Sequence, residues 1–255
     1  MTPGQLVKAV SLALDVPEET VVQHDRNLVV AGLRTKGGRG RSAPEVTSLD
    51  AARLITACLA SVRTKDSVLT VRAFEQAQRR PKFVSKSARD GGRLTKREED
   101  QIATEKELFD LPFMKLPVNH SFVEALASLI TEATELFDAG KLEQLKQRFA
   151  LLSFVCFPGG VATITRKLAS IQYENPARNE HLVPDGRPEP KTLADAMLHA
   201  TGMSQTTTIR GVVIVLLGRA FRESGLNFRN AKAAIADIVG WRPKKELRGR
   251  GESAA

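Results

Sequence analysis

Residues Pro17 to Arg41, PEETVVQHDRNLVVAGLRTKGGRGR, are the stretch on which the reading of the whole chain turns. The first half places Val21, Leu28 and Leu33 at spacings that can share one buried side of a helix. The second half is a glycine-rich basic loop. Between Arg26 and Pro44 stand five basic residues (Arg26, Arg34, Lys36, Arg39 and Arg41) and no acidic one. A helix followed at once by a cationic hairpin has a shape and charge suited to a nucleic-acid groove.

The segment before it supports a paired-helix arrangement. From Gln5 to Asp15, Leu6, Val10 and Leu14 recur every fourth residue, the stripe of an amphipathic helix. Asp15-Val-Pro breaks that helix, and Pro17 suits the first position of the next, where its missing N–H would be unpaired anyway. Glu18 and Glu19 then fall in the first turn, where the helix dipole favours negative charge. The second helix is expected to run to about Ala31, with Gly32 ending it. Two helices joined by a few residues form a helix-turn-helix. The pattern LDAARL, part of a helix predicted over Ser48 to Val62, supplies a third element for a trihelical core.

The first 60 or so residues resemble the winged helix-turn-helix bacterial regulators, broadly the MarR-like and ArsR-like group. The resemblance is carried by QLVKAVSLALDV, the turn at Pro17, and TVVQHDRNLVVAGL with its closing Ala-Gly-Leu. One departure is that no helix precedes Gln5. The same region is similar to a group of prophage-type bacterial proteins through Gly32-Leu33, Gly37 to Arg41 and Leu49 to Leu54. The resemblance implies that Pro17 to Ala31 is a recognition helix whose outward residues Thr20, Gln23, Arg26 and Asn27 reach DNA. Asn and Gln can pair bidentately with adenine, and Arg can do so with guanine. His24 is either a half-buried flank residue or a contact. Asp25 would face away from DNA or pair with a neighbouring arginine. The wing would be Arg34 to Arg41, with Arg34, Lys36, Arg39 and Arg41 held near phosphates or a narrow minor groove.

Composition fits such a partner. The chain has 255 residues, 42% of them hydrophobic and 26% charged, and a formal net charge of +9. A surplus of this size points to an anionic partner, nucleic acid being the commonest for a soluble chain, though a basic protein need not have one. Aromatics make up only 5%, which argues against a stacking platform for single strands. Cys58 and Cys156 sit in apolar surroundings and read as buried thiols in a reducing compartment. The longest apolar run, Val212 to Leu217, is far short of the roughly 20 residues that span a bilayer. With no secretion signal at the N-terminus, a cytoplasmic protein without membrane contact is expected.

The remaining sequence divides by pattern. Residues 1–75 form the expected DNA-binding domain. Residues 76–118 form a basic connector, with eight basic residues against Asp90 alone between Arg79 and Arg97. Residues 119–240 form a mostly helical oligomerisation or partner domain, and 241–255 a basic tail. In the second domain, Ser121 and Glu124 make a capping box that opens a helix to about Asp138. A short helix, Leu142 to Gln147, precedes an expected β-hairpin, with Phe149 to Phe157 and Val161 to Arg166 flanking Pro158-Gly-Gly160. Thr192 to Ala200, Thr206 to Leu217 and Asn227 to Val239 are read as helices. The fold expected is therefore mainly α, a winged helix-turn-helix plus a helical second domain with a short hairpin.

Motifs for chemistry are missing. There is no Walker-type loop, GxSxG elbow or HExxH helix, and the histidines (His24, His120, His181, His199) and cysteines lack metal-ligand spacing. The expectation is a protein with no cofactor, no metal and no enzymatic activity. Its expected role is sequence-specific binding of double-stranded DNA as a homodimer or higher homo-oligomer, in transcriptional regulation of phage or mobile-element type. The alternative is a phage DNA-packaging subunit of the small-terminase kind.

Overall fold

A computed structural model describes residues 1–35, 45–80, 108, 110–157, 159–166, 169–176 and 207–222. Among them are seven α-helices and a five-stranded antiparallel sheet. The helices are α1 (Pro3–Leu14), α2 (Glu18–Val30), α3 (Ser48–Ala60), α4 (Ser67–Gln76), α5 (Phe122–Asp138), α6 (Leu142–Phe149) and α7 (Gly211–Arg222). The strands are β1 (Gln78–Arg79), β2 (Leu152–Phe157), β3 (Val161–Arg166), β4 (Ala169–Glu174) and β5 (Thr207–Arg210), in the order β1-β4-β3-β2-β5.

Among the described residues, three capping boxes start helices. Thr2 with Gln5 opens α1, Thr47 with Asp50 opens α3, and Ser121 with Glu124 opens α5 as its sequence predicts. Each satisfies helix-terminal N–H groups that would otherwise lack partners. The turn between α1 and α2 is short: Asp15 takes a left-handed φ of 60°, and Pro17 becomes the N-cap of α2. Gly32, at φ 71°, ends α2 as expected, and Leu33 N–H closes back on Leu28 O at 2.9 Å.

Helix α3 is buried almost all round (Ala51, Ala52, Leu54, Ile55, Ala57, Leu59 and Ala60). It packs on α1 and α2, completing the trihelical arrangement, and on α4 and α5 as well. Helix α7 has Val213 to Leu217 buried in succession, the signature of a helix surrounded by protein. It lies against α5 so closely that a Cβ on Gly218 would stand 2.7 Å from Ala133 Cβ. Helix α1 also packs on α7. The periodic pattern breaks at 76–118, yet the helices before and after that break share one hydrophobic core, running from Leu6 to Ala220.

The expected hairpin is present as β2 and β3, paired from Leu152↔Arg166 to Phe157↔Val161. Gly159 and Gly160 supply the positive φ of its turn. Alternation turns Leu152, Phe154 and Cys156 into the core. The sheet is larger than the sequence suggests. Strand β4 pairs with β3, β1 ties the end of α4 to β4, and β5 adds to the far edge of β2.

Two boundaries are corrected. Residues Thr206 to Leu217, read as one helix, divide into β5 and α7. The β-branched stretch Thr207 to Ile209 finds an edge on β2, and the chain turns at Gly211, where a Cβ would collide with Phe149 O. Helix α6 continues to Phe149, so the hairpin begins at Leu152. The predicted helices Thr192 to Ala200 and Asn227 to Val239, residues 81–107 and 109 of the basic connector, and the tail lie outside the described residues. So does the core of the predicted wing; no strand occurs at 33–35 or 45–47 on either side of it. Leu108, Leu111 and Phe113, assigned to the basic connector from sequence, are instead buried in the shared core. No helix among the described residues is long and apolar enough to cross a membrane.

Candidate nucleic-acid interface

Helix α2 buries Val21, His24 and Leu28, and the 3.6-residue period therefore turns Glu19, Gln23, Arg26 and Val30 outward. All four are exposed, Val30 at 85%. Glu18 and Glu19 occupy the first turn of α2. The dipole supplies only about half a positive charge there, so two carboxylates make this end the less favourable one for phosphates. Of the expected DNA readers, Gln23 and Arg26 stand on the open face, and Thr20 is partly buried at its margin.

Two other expectations are corrected. Asn27 turns sideways, its Nδ2 donating to Thr64 O at 2.7 Å, so its amide holds the turn before α4 in place of a base. Gln23 Nε2 reaches Asn27 Oδ1 at 3.4 Å. Arg34 is 3% exposed and forms an ion pair with Asp25, which removes it from the expected phosphate-binding set. Burial, chiefly, pushes the Asp25 carboxyl up from its ordinary range, while Arg34 opposes the rise. Of the two alternatives the sequence leaves for Asp25, pairing with a neighbouring arginine is the one observed, and the partner is Arg34, which the sequence assigns to the loop instead. Lys36, Arg39 and Arg41 lie outside the described residues.

The described residues on either side of 36–44 are tied to one another. Asp50 accepts hydrogen bonds from Thr35 N and Oγ1, both at 3.1 Å, and from Thr47 N and Oγ1, both at 2.9 Å. One carboxylate thus fastens both ends of the segment. Burial would raise the Asp50 pKa, but these four hydrogen bonds outweigh it and hold the carboxyl below its usual value. Arg53 adds a second tie, donating to Leu33 O at 2.8 Å while pairing with Glu75 at 2.7 Å.

The opposite flank of α2 is equally fixed. The Ser67 hydroxyl donates to Thr64 O, so its 2.7 Å contact with His24 Nδ1 requires that nitrogen to carry the proton. Burial lowers the His24 pKa, keeping the ring neutral. His24 is thus a buried flank residue rather than a contact. Between them, His24 and Asn27 hold the stretch Arg63-Thr64-Lys65 beside α2. Those two cations escaped the sequence reading. The available signal was a short cationic stretch, VRTKDS, between two helical patterns.

A groove of about 570 Å³ lies between the start of α3 and α5, lined by Thr47, Ser48, Asn119, His120, Glu124 and Thr131 among others. Its histidine is committed to structure. His120 Nδ1 donates to Pro117 O at 2.7 Å, and Nε2 accepts from Tyr173 OH at 2.8 Å. The thiol of Cys156 is buried and pushed up to about 12, which leaves it unreactive. No cluster of three or more His, Cys, Asp or Glu side chains placed to hold a metal ion occurs among the described residues. No protein-family model, curated protein or solved structure matches the chain.

Proposed function

We propose that this protein binds double-stranded DNA through the outer face of α2 and the basic segments at its two sides. One observation carries the reading. The solvent face bearing Gln23 and Arg26 is bordered on one edge by Arg63 and Lys65, through the Asn27–Thr64 bond, and on the other by the clamped base of the Lys36–Arg41 segment. The chain's surplus of nine positive charges supplies the long-range attraction. The short α1–α2 turn and the α3 prop are what a helix presented to a groove requires. In this reading the protein acts as a homo-oligomeric transcriptional regulator of phage or mobile-element type.

A second reading, a DNA-packaging recognition subunit, is favoured by the commitment of Asn27 to Thr64. With that amide occupied, Gln23 is left as the principal reader of bases, and binding leans on phosphates. Selection on random duplex DNA, with oligomer mass measured alongside, tests both. Regulation is expected to yield an enriched motif and a dimer; packaging, weak sequence preference and a ring. Arg26→Ala and the pair Arg39→Ala/Arg41→Ala are each expected to weaken binding and flatten its salt dependence. Duplex affinity unaltered in both variants would refute the interface.

A further inference from the structure

We infer that the turn at Arg63–Lys65 and the outer face of α4 form a phosphate-binding flank, in which Lys65 and Arg72 contact the nucleic-acid backbone beside α2. This rests on the duplex-binding reading above, and it adds residues that neither the helix-turn-helix pattern nor the basic loop contains.

The geometry of α4 carries it. At its start Ser67 meets His24, and near its end Glu75 is joined through Arg53 to Leu33 O, just past α2. Helix α4 therefore runs beside the C-terminal half of α2, in the same direction. It buries Ser67, Val71 and Phe74, and the helical period turns Leu69, Arg72 and Gln76 to solvent. In the preceding turn Arg63 pairs with Asp66 at 2.9 Å, while Lys65 is exposed. No described carboxylate pairs with Arg26, Lys65 or Arg72. These three cations lie on neighbouring elements away from Glu18 and Glu19, at the half of α2 where phosphates meet the least repulsion. Lys65 offers a compact ammonium and Arg72 a planar fork, both established forms of phosphate contact.

The test uses the full chain and two labelled duplexes of unrelated sequence, titrated between roughly 50 and 200 mM salt. For Lys65→Ala/Arg72→Ala, the slope of log K against log salt should become shallower by about 1.8, two contacts at about 0.9 each. The salt-driven change in affinity over that range should shrink about tenfold, equally on both duplexes. Lys65→Arg should retain binding, since charge and not shape is required there. An unchanged slope in a double variant that melts like the parent, while Arg39→Ala/Arg41→Ala loses affinity, would overturn the flank and leave duplex binding standing. Loss on one duplex only would overturn the backbone role in favour of a base contact. A parent chain that binds neither duplex at low salt removes the duplex-binding reading and the flank with it.

Discussion

Replacing Arg34 with alanine leaves the Asp25 carboxylate largely buried and without its partner. The Asp25 side chain is 15% exposed and that of Arg34 2%, so water cannot replace the lost guanidinium fully. Breaking a buried pair from one side costs about 3–5 kcal/mol; the residual exposure of Asp25 places the expectation near the lower end, about 3 kcal/mol. With a urea m-value of up to about 3 kcal/mol/M, the unfolding midpoint should fall by about 1 M or more. The loss should depend on pH. Without Arg34, burial raises the folded-state pKa of Asp25 further above its unfolded value. Such a group stabilises below the unfolded pKa, and that contribution is lost as pH rises through the folded one. The deficit of Arg34→Ala is therefore expected to be smaller near pH 4 than at pH 7. Asp25→Leu/Arg34→Met, which removes both charges and keeps the volume, should cost less than the single change. An unchanged urea midpoint combined with weaker duplex binding would refute the buried assignment and return Arg34 to the DNA-facing set.

Two further expectations concern stability. Asp50→Ala removes four hydrogen bonds and the capping partner of Thr47, and should cost about 2–4 kcal/mol by chemical denaturation. Because the folded pKa of Asp50 is depressed, its contribution is present above the unfolded carboxylate pKa and lost as pH falls through the folded one, so parent and variant should converge in acid. Gly218→Ala would set a Cβ 2.7 Å from Ala133 Cβ and 2.9 Å from Thr134 N, forcing α5 and α7 apart. A cost of about 1–3 kcal/mol from overpacking should exceed the gain of up to about 1 kcal/mol in helix propensity. A raised melting temperature would show that the two helices part freely.

The parts of the fold legible in advance were those encoded by neighbours in sequence. Ser121 and Glu124 announce the start of α5, Gly32 the end of α2, and Gly159-Gly160 the hairpin turn, because each device acts within a few residues. Contacts set by tertiary packing were not legible. Strand β5 exists because Thr207 to Ile209 meet the open edge of β2, some 50 residues earlier in sequence. The candidate site shows the same division. Arg26 and Gln23 follow from helical period alone. Whether Asn27 reads a base or holds Thr64 O, and whether Arg34 meets phosphate or Asp25, depends on partners that no local pattern reveals. Lys65 and Arg72 were overlooked because a short turn and a short helix carry little periodic signal.

The carboxylate of Asp50 has a consequence for how this surface can diversify. Thr35 and Thr47 meet on one side chain, so the separation of the two stems is set by α3, whatever residues lie between them. A closed segment pays for added length only logarithmically, about 0.6 kcal/mol for each doubling. Residues 36–44 could therefore be exchanged for a shorter, longer or differently charged sequence without disturbing the Thr35–Asp50–Thr47 junction. The point of exchange is marked in the sequence by a threonine, an aspartate and a second threonine, Thr35, Asp50 and Thr47.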